Sequence, residues 1–223
     1  MEFKVSKELI QELEQLIQSK NDQQLEVLLN DLHHADIAEI LDELDIEEAT
    51  YIFKVLDSEK TAEILLELED DLREKILSRL SPKEIAEELD ELETNDAADI
   101  IGELSREKKE EVISELQDVE HAKDIVDLLR YDEDSAGGLM GKEMVKVNEN
   151  WNVLTCVKEM RIQAEHVTRV HSIYVVDDEN RLKGRLSLKD LLTTSTKTMI
   201  SDVYIKKVDY VKGIVLVLIL VVG

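Results

Sequence analysis

The chain holds a single cysteine, a single proline, and no glycine before Gly102. Cys156 therefore has no partner for an internal disulfide, and one unpaired thiol fits a reducing compartment. No histidine or Asp/Asn is placed to make it a nucleophile, so Cys156 reads as a small apolar residue on a helix. With Pro82 the only proline and glycine absent from residues 1–101, turns rich in either residue are excluded there, and helices are what such a composition builds easily. Aromatic residues make up only 4% of the chain. A Gly-rich phosphate loop, a nucleophile elbow and a metal triad are all missing, which argues against an enzyme. The opening MEFKVSKELIQ has no apolar core of signal-peptide length. The closing GIVLVLILVVG carries nine unbroken apolar residues, far short of the ~20 a bilayer-spanning helix needs. Left exposed, that β-branched, uncharged run is an aggregation hazard.

Acidic residues are what the chain has in excess. Its formal charge is −25, and the excess is confined to one part: residues 1–134 carry 42 Asp and Glu against 14 Lys and Arg, whereas 135–223 carry 10 against 13. Two units with different roles are implied. The first repels nucleic acid and anionic membrane surfaces and attracts cations or a basic protein patch. Disorder does not fit, because 43% of the residues are apolar and regularly spaced.

Within the acidic part, AEILDEL (38–44), AEILLEL (62–68), AEELDEL (86–92) and ADIIGEL (98–104) share one pattern. Each sets a small residue and then apolar ones three and six positions on, giving a buried stripe with carboxylates on the open side. Capping signals recur at intervals of 10 to 14 residues: Asp45 with Glu48, Asp71 with Glu74, and Ser81-Pro82-Lys83-Glu84 as capping boxes, then Ser58, Asn95, Ser105 and Asp118 as further caps. Helices this short are marginal alone. Stacked with a 24-residue pair repeat, they predict an α-helical superhelix, a solenoid of short helices, over 1–130. The character changes at Tyr131. A linker (131–136) leads into MVKVNEN, a helix from about Trp151 to Ala164, the strand SIYVVD, the turn DDEN, the strand RLKGRLS and the short helix LKDLL. That order, β-α-β-β-α, predicts a small α+β domain over 137–205, with 206–223 as an atypical apolar tail.

YDEDSAGGLM, arriving after an acidic helical repeat, resembles the junction in MgtE-family magnesium transporters, where an acidic N domain leads into paired CBS modules. SIYVVDDENRLKGRLSLKDLL is similar to the second half of a first CBS module, and the likeness covers roughly residues 30 to 203. It implies a mainly α cytosolic region that senses Mg²⁺ and gates a transmembrane domain absent from this sequence, at the cytoplasmic face of the membrane, as a homodimer through the CBS region. Past Ile200-Ser201-Asp202-Val203 the family pattern fades. The second CBS module and the membrane bundle are missing, as expected of a chain cut short before its membrane domain.

Mg²⁺ takes oxygen ligands in an octahedron and keeps several of its waters, so each surface it bridges need supply only one or two carboxylates. Asp96 and Asp99 lie three apart, on one helix face, and Glu63 projects from the equivalent face of an earlier repeat. The resemblance implies that carboxylates at the positions of Glu63 and Asp99 help bind Mg²⁺; the third family carboxylate aligns with Asn95, an amide here, with Asp96 adjacent. Solvated surface carboxylates are the plain alternative for any one of them. Two other functions compete: an acidic solenoid that grips a basic protein partner, and a CBS-type module responsive to adenine nucleotide through Ser187 and Asp190, of which Ser187 serves equally well as a helix cap. His33-His34 have no third ligand at informative spacing and are expected in a loop just before a helix. Trp151 and Met160 are expected to pack the CBS-like helix.

Overall fold

The computed structural model describes residues 4–132, 134–164, 167, 170 and 172–212, and the chain divides into two units, Met1–Arg130 and Tyr131–Gly223. The first is a run of short helices: α1 (Lys7–Gln18), α2 (Asp22–Asn30), α3 (His34–Glu43), α4 (Ile46–Val55), α5 (Ser58–Glu67), α6 (Asp70–Arg79), α7 (Pro82–Leu89), α8 (Thr94–Glu103), α9 (Arg106–Glu115) and α10 (Val119–Leu128). The solenoid of short helices is what the sequence predicts. The Asp45 and Ser81 capping boxes form as expected. Asp45 Oδ1 accepts from Glu48 N–H at 2.9 Å, and Ser81 N–H donates to Glu84 Oε2 at 2.7 Å. Ser105 and Asp118 are N-caps too.

Three expected caps are not caps. Ser58 is the first residue of α5, capped by Asp57, while Asp71 and Asn95 each sit second in helices that follow Glu69 and Glu93. With these corrections the N-caps fall every twelve residues, at His33, Asp45, Asp57, Glu69, Ser81, Glu93 and Ser105. Glu69 and Glu93 make no side-chain cap bond, so register there comes from packing. A leucine precedes each of these caps, and the series Leu44, Leu56, Leu68, Leu80 and Leu92 is buried.

The helices α3, α5, α7 and α9 contact one another in series, as do α4 with α6 and α8 with α10. Between them runs a second twelve-residue series of buried side chains, Ile40, Ile52, Ile64, Ile76, Ile100 and Val112. Basic side chains tie turns of the superhelix together. Lys60 donates to the carbonyls of Asn30 (2.6 Å) and Leu32 (3.0 Å) at the end of α2. Lys108, two pair-repeats later, does the same for Leu77 (2.6 Å) and Leu80 (3.0 Å) at the end of α6. Each ammonium satisfies carbonyls that a helix end leaves without intrahelical donors. Arg73 spans three elements, donating to Glu103 at 3.0 and 2.7 Å, to Asp70 at 2.6 Å and to the Leu68 carbonyl at 3.0 Å. The Glu103 bonds hold its guanidinium pKa above the usual value.

The second unit has the expected β-α-β-β-α order: β1 (Val145–Asn148), α11 (Val153–Ala164), β2 (Ile173–Val176), β3 (Leu182–Leu186) and α12 (Leu188–Thr193), then a 3-10 turn at Ile200–Asp202. β1 pairs parallel with β2, and β2 antiparallel with β3; the parallel pair requires the α11 crossover. Helix α11 begins at Val153, two residues later than Trp151. Trp151 and Met160 pack on a core that includes Val147, Cys156, Val175 and Leu191, as expected. Burial pushes the Cys156 thiol up to about 11, so it stays protonated and serves as apolar volume. Gly184 is required in β3 because a Cβ there would meet the Ile205 carbonyl and the Tyr204 ring. Of the expected apolar tail (206–223), residues 213–223 lie outside the described residues, and 206–212 carry no regular secondary structure.

Candidate acidic cation-binding face

Each predicted carboxylate gets its orientation from the stripe behind it. Ala62, Ile64 and Leu65 are buried on α5, which leaves Glu63 exposed. On α8 the buried Ala98, Ile100 and Ile101 do the same for Asp99. Asp96 is half-buried in the first turn of α8, where the partial positive charge of the helix start favours a carboxylate. The Asn95 side-chain amide donates to Asp96 Oδ1 at 2.8 Å, so the amide at that position orients its neighbour.

Asp96 and Asp99 thus sit about one turn apart on α8, and Glu63 is on α5, a helix of the other series. Among the described residues, no group of three or more His, Cys, Asp or Glu is arranged to hold a metal ion. The face offers hard oxygens in ones and twos. That donor set fits a hydrated Mg²⁺ bridging two surfaces and does not fit a dehydrated ion caged inside the helical unit.

Glu63 also borders an open cleft of about 380 Å³ with Leu32, His33, His34, Asp57, Glu59 and Lys60. Sequence reasoning missed this cleft and misplaced one of its two histidines, His34. His33 is the N-cap of α3, its Nδ1 accepting from Ala35 N–H at 3.4 Å, and His34 is the first helical residue rather than part of a preceding loop. Their ring centroids lie 3.8 Å apart, and His34 Nε2 is 3.5 Å from Glu67. Lys60 is committed to the α2 carbonyls, and Asp57, Glu59 and Glu63 leave the cleft acidic on balance.

Two further carboxylates stand out for their environment. Lys54, bonded at 2.6 Å, is the main reason that the Glu84 carboxyl falls to about 2; the Ser81 bonds add to it. Glu88 is buried, and the desolvation raises its carboxyl to about 7. It was missed although the repeat marks it: AEELDEL carries glutamate where AEILDEL and AEILLEL carry isoleucine. In the second unit, Ser187 is the N-cap of α12, its Oγ accepting from Asp190 N–H at 3.3 Å. No helix among the described residues is long and apolar enough to cross a membrane.

Comparison with known proteins converges on one family. The MgtE intracellular N domain matches residues 32–134, and the CBS domain matches 136–196. The magnesium transporter MgtE of Thermus thermophilus is 35% identical over 214 residues, which is 90% of this chain and 45% of that protein. The MgtE of Enterococcus faecalis is 35% identical over 89 residues, 40% of this chain and 20% of its own length. The chain therefore spans less than half the length of these relatives. Among solved structures, the cytosolic domain of the Mg²⁺ channel MgtE in complex with ATP superposes with a TM-score of 0.82 at 31% identity, covering 92% of this chain and 84% of that one. The soluble part of a magnesium transporter gives 0.71 at 26%, covering 91% and 79%.

Proposed function

The chain belongs to the MgtE family, and from that premise we propose that it is the Mg²⁺-sensing part of a magnesium transporter, closing when Mg²⁺ bridges its acidic faces. The observation that carries this is the exposure of Glu63 and Asp99, with Asp96 half-buried on the same helix as Asp99, in a stretch (1–134) whose acidic residues outnumber its basic ones threefold. Two carboxylates about 6 Å apart in water repel by only ~0.7 kcal/mol, but many such pairs facing one another add up and hold a gap open when divalent ions are scarce. Each site of millimolar affinity contributes about 4 kcal/mol under standard conditions. Several filling together shift a two-state equilibrium toward the closed form. In a full-length transporter, that closed form would shut the pore of the membrane domain, and the CBS region would pair two copies.

A second ligand reading rests on the relative solved with ATP. Ser187 and Asp190 are the residues that would meet a ribose here, though Ser187 Oγ is already committed to capping α12.

Limited proteolysis distinguishes sensing from simple screening. Millimolar MgCl₂ is expected to protect the chain from cleavage, and NaCl of equal ionic strength is expected to protect much less. Equal protection by the two salts would reduce the face to a screened acidic surface, of the kind an interaction scaffold carries.

A further inference from the structure

One position breaks the buried series that runs along the helical unit. Ile40, Ile52, Ile64 and Ile76 are followed, twelve residues on, by Glu88, after which Ile100 and Val112 resume the apolar pattern. Glu88 is 9% exposed, inside α7. Across from it on α5 stands Thr61, fully buried, at a place in its own repeat that Ile37, Ala49, Ile85 and Ala97 fill with apolar side chains and Arg73 and Lys109 with basic ones. A carboxyl in an apolar slot therefore faces a buried hydroxyl across one helix seam.

The hydrogen bonds around Thr61 show what that pair requires. Thr61 Oγ1 lies within bonding reach of three oxygens: the Asp57 carbonyl at 2.9 Å, the Ser58 carbonyl at 3.3 Å and Glu88 Oε2. A hydroxyl has one proton to give and lone pairs to accept. If Glu88 is ionised, carbonyl and carboxylate compete for that proton, and a buried charge is left short of a donor. If Glu88 is protonated, its O–H donates to Thr61 Oγ1 while the Thr61 O–H donates to the Asp57 carbonyl, and the two no longer compete for one proton.

The charged surroundings favour the same state. Asp57 at the start of α5 and Glu87 and Glu91 beside Glu88 are all anionic, and all act to raise its pKa. Asp90 and Asp118, the latter capping α10, line a cleft with Glu87 and Glu91. On the α9 flank, Lys108 is committed to the carbonyls of Leu77 and Leu80. On α10, His121 Nε2 is 3.2 Å from the Leu89 carbonyl. No basic side chain among the described residues forms an ion pair with Glu88.

We propose that Glu88 and Thr61 form a proton-operated latch between α7 and α5, shut while Glu88 carries a proton and loosened when it ionises. The latch does not depend on Mg²⁺ sensing and stands if that reading fails. Burial lifts the Glu88 carboxyl from an ordinary 4.5 to about 7, although a bond donated by the Thr61 hydroxyl acts to lower it. The folded chain therefore holds a proton that the unfolded chain gives up above 4.5. The resulting stability is fully present below 4.5, declines as pH rises toward 7, and is gone above it.

The test is urea unfolding of the whole chain from pH 5 to 8.5, wild type beside Glu88→Gln and Glu88→Ile. In wild type, relative to either variant, the folded-to-unfolded ratio is expected to fall by up to about tenfold per pH unit up to near pH 7 and then level off. Taking wild type relative to each variant removes every contribution common to the three proteins. Should a variant fail to fold, carboxyl carbon NMR of the wild type decides alone, with the Glu88 resonance expected to titrate near neutrality. Parallel stability curves, or a Glu88 carboxyl that titrates with the exposed glutamates, would overturn the proposal.

Discussion

Phe53→Ala is expected to destabilise the helical unit by about 3–5 kcal/mol, a large share of a domain's usual 5–15 kcal/mol. Phe53 is 1% exposed and is among the largest fully buried side chains. It lies on α4, which packs against α1, α2 and α6, one residue beyond the Ile52 slot of the buried series. Its loss leaves a cavity that short helices close poorly, because each is held by its neighbours rather than by its own hydrogen bonds. In a stacked-helix array the damage should begin at the α2–α4–α6 seam. Urea denaturation followed by circular dichroism would then show an earlier, broader loss of helix, and hydrogen exchange would speed up first in α2 and α4. A shift below 1 kcal/mol would mean that the seam repacks and that the core is less specific than its geometry suggests.

The second large effect concerns ligand response. A chain carrying Glu63→Gln, Asp96→Asn and Asp99→Asn together is expected to lose most of its Mg²⁺-dependent protease protection. Its stability without Mg²⁺ should change little, since surface substitutions usually stay within about 0.5 kcal/mol. Glu63 and Asp99 are exposed on helices whose buried faces the substitutions leave intact. Asn at position 96 preserves volume and a carbonyl oxygen for the Asn95 amide that now bonds Asp96. Undiminished protection in this variant would move the Mg²⁺ contacts to other carboxylates of the acidic unit.

Much of this was legible from the repeat. Alanine followed by apolar residues at fixed offsets identified the buried stripe, and polar caps marked four of the ten helix starts described in the helical unit, at Asp45, Ser81, Ser105 and Asp118. Two misses share one cause. Asp71 and Asn95 are good capping residues that lie two positions past the true caps, Glu69 and Glu93, which make no side-chain bond, so local chemistry pointed to the wrong place. The leucines at 32, 44, 56, 68, 80, 92, 104 and 116 recur every twelve residues and would have fixed the register, because packing rather than capping sets it. Glu88 shows the same lesson at the candidate latch. Reading it as one more acidic residue of an acidic face hid the fact that its slot is an isoleucine slot. The His33 cap was hidden for a different reason: an imidazole nitrogen accepting from a backbone N–H is rarer at a helix start than a carboxylate or hydroxyl. What sequence could not supply was the cross-repeat bonding of Lys60, Arg73 and Lys108, since partners some 30 residues away become neighbours only once the superhelix has formed.

Small-angle X-ray scattering of the whole chain, with MgCl₂ stepped through the millimolar range against NaCl of matched ionic strength, tests Mg²⁺-driven closure most directly. The radius of gyration is expected to fall with MgCl₂ and to change little with NaCl. A radius that ignores Mg²⁺, or that shrinks equally in both salts, would contradict bridging of the acidic faces by a divalent ion.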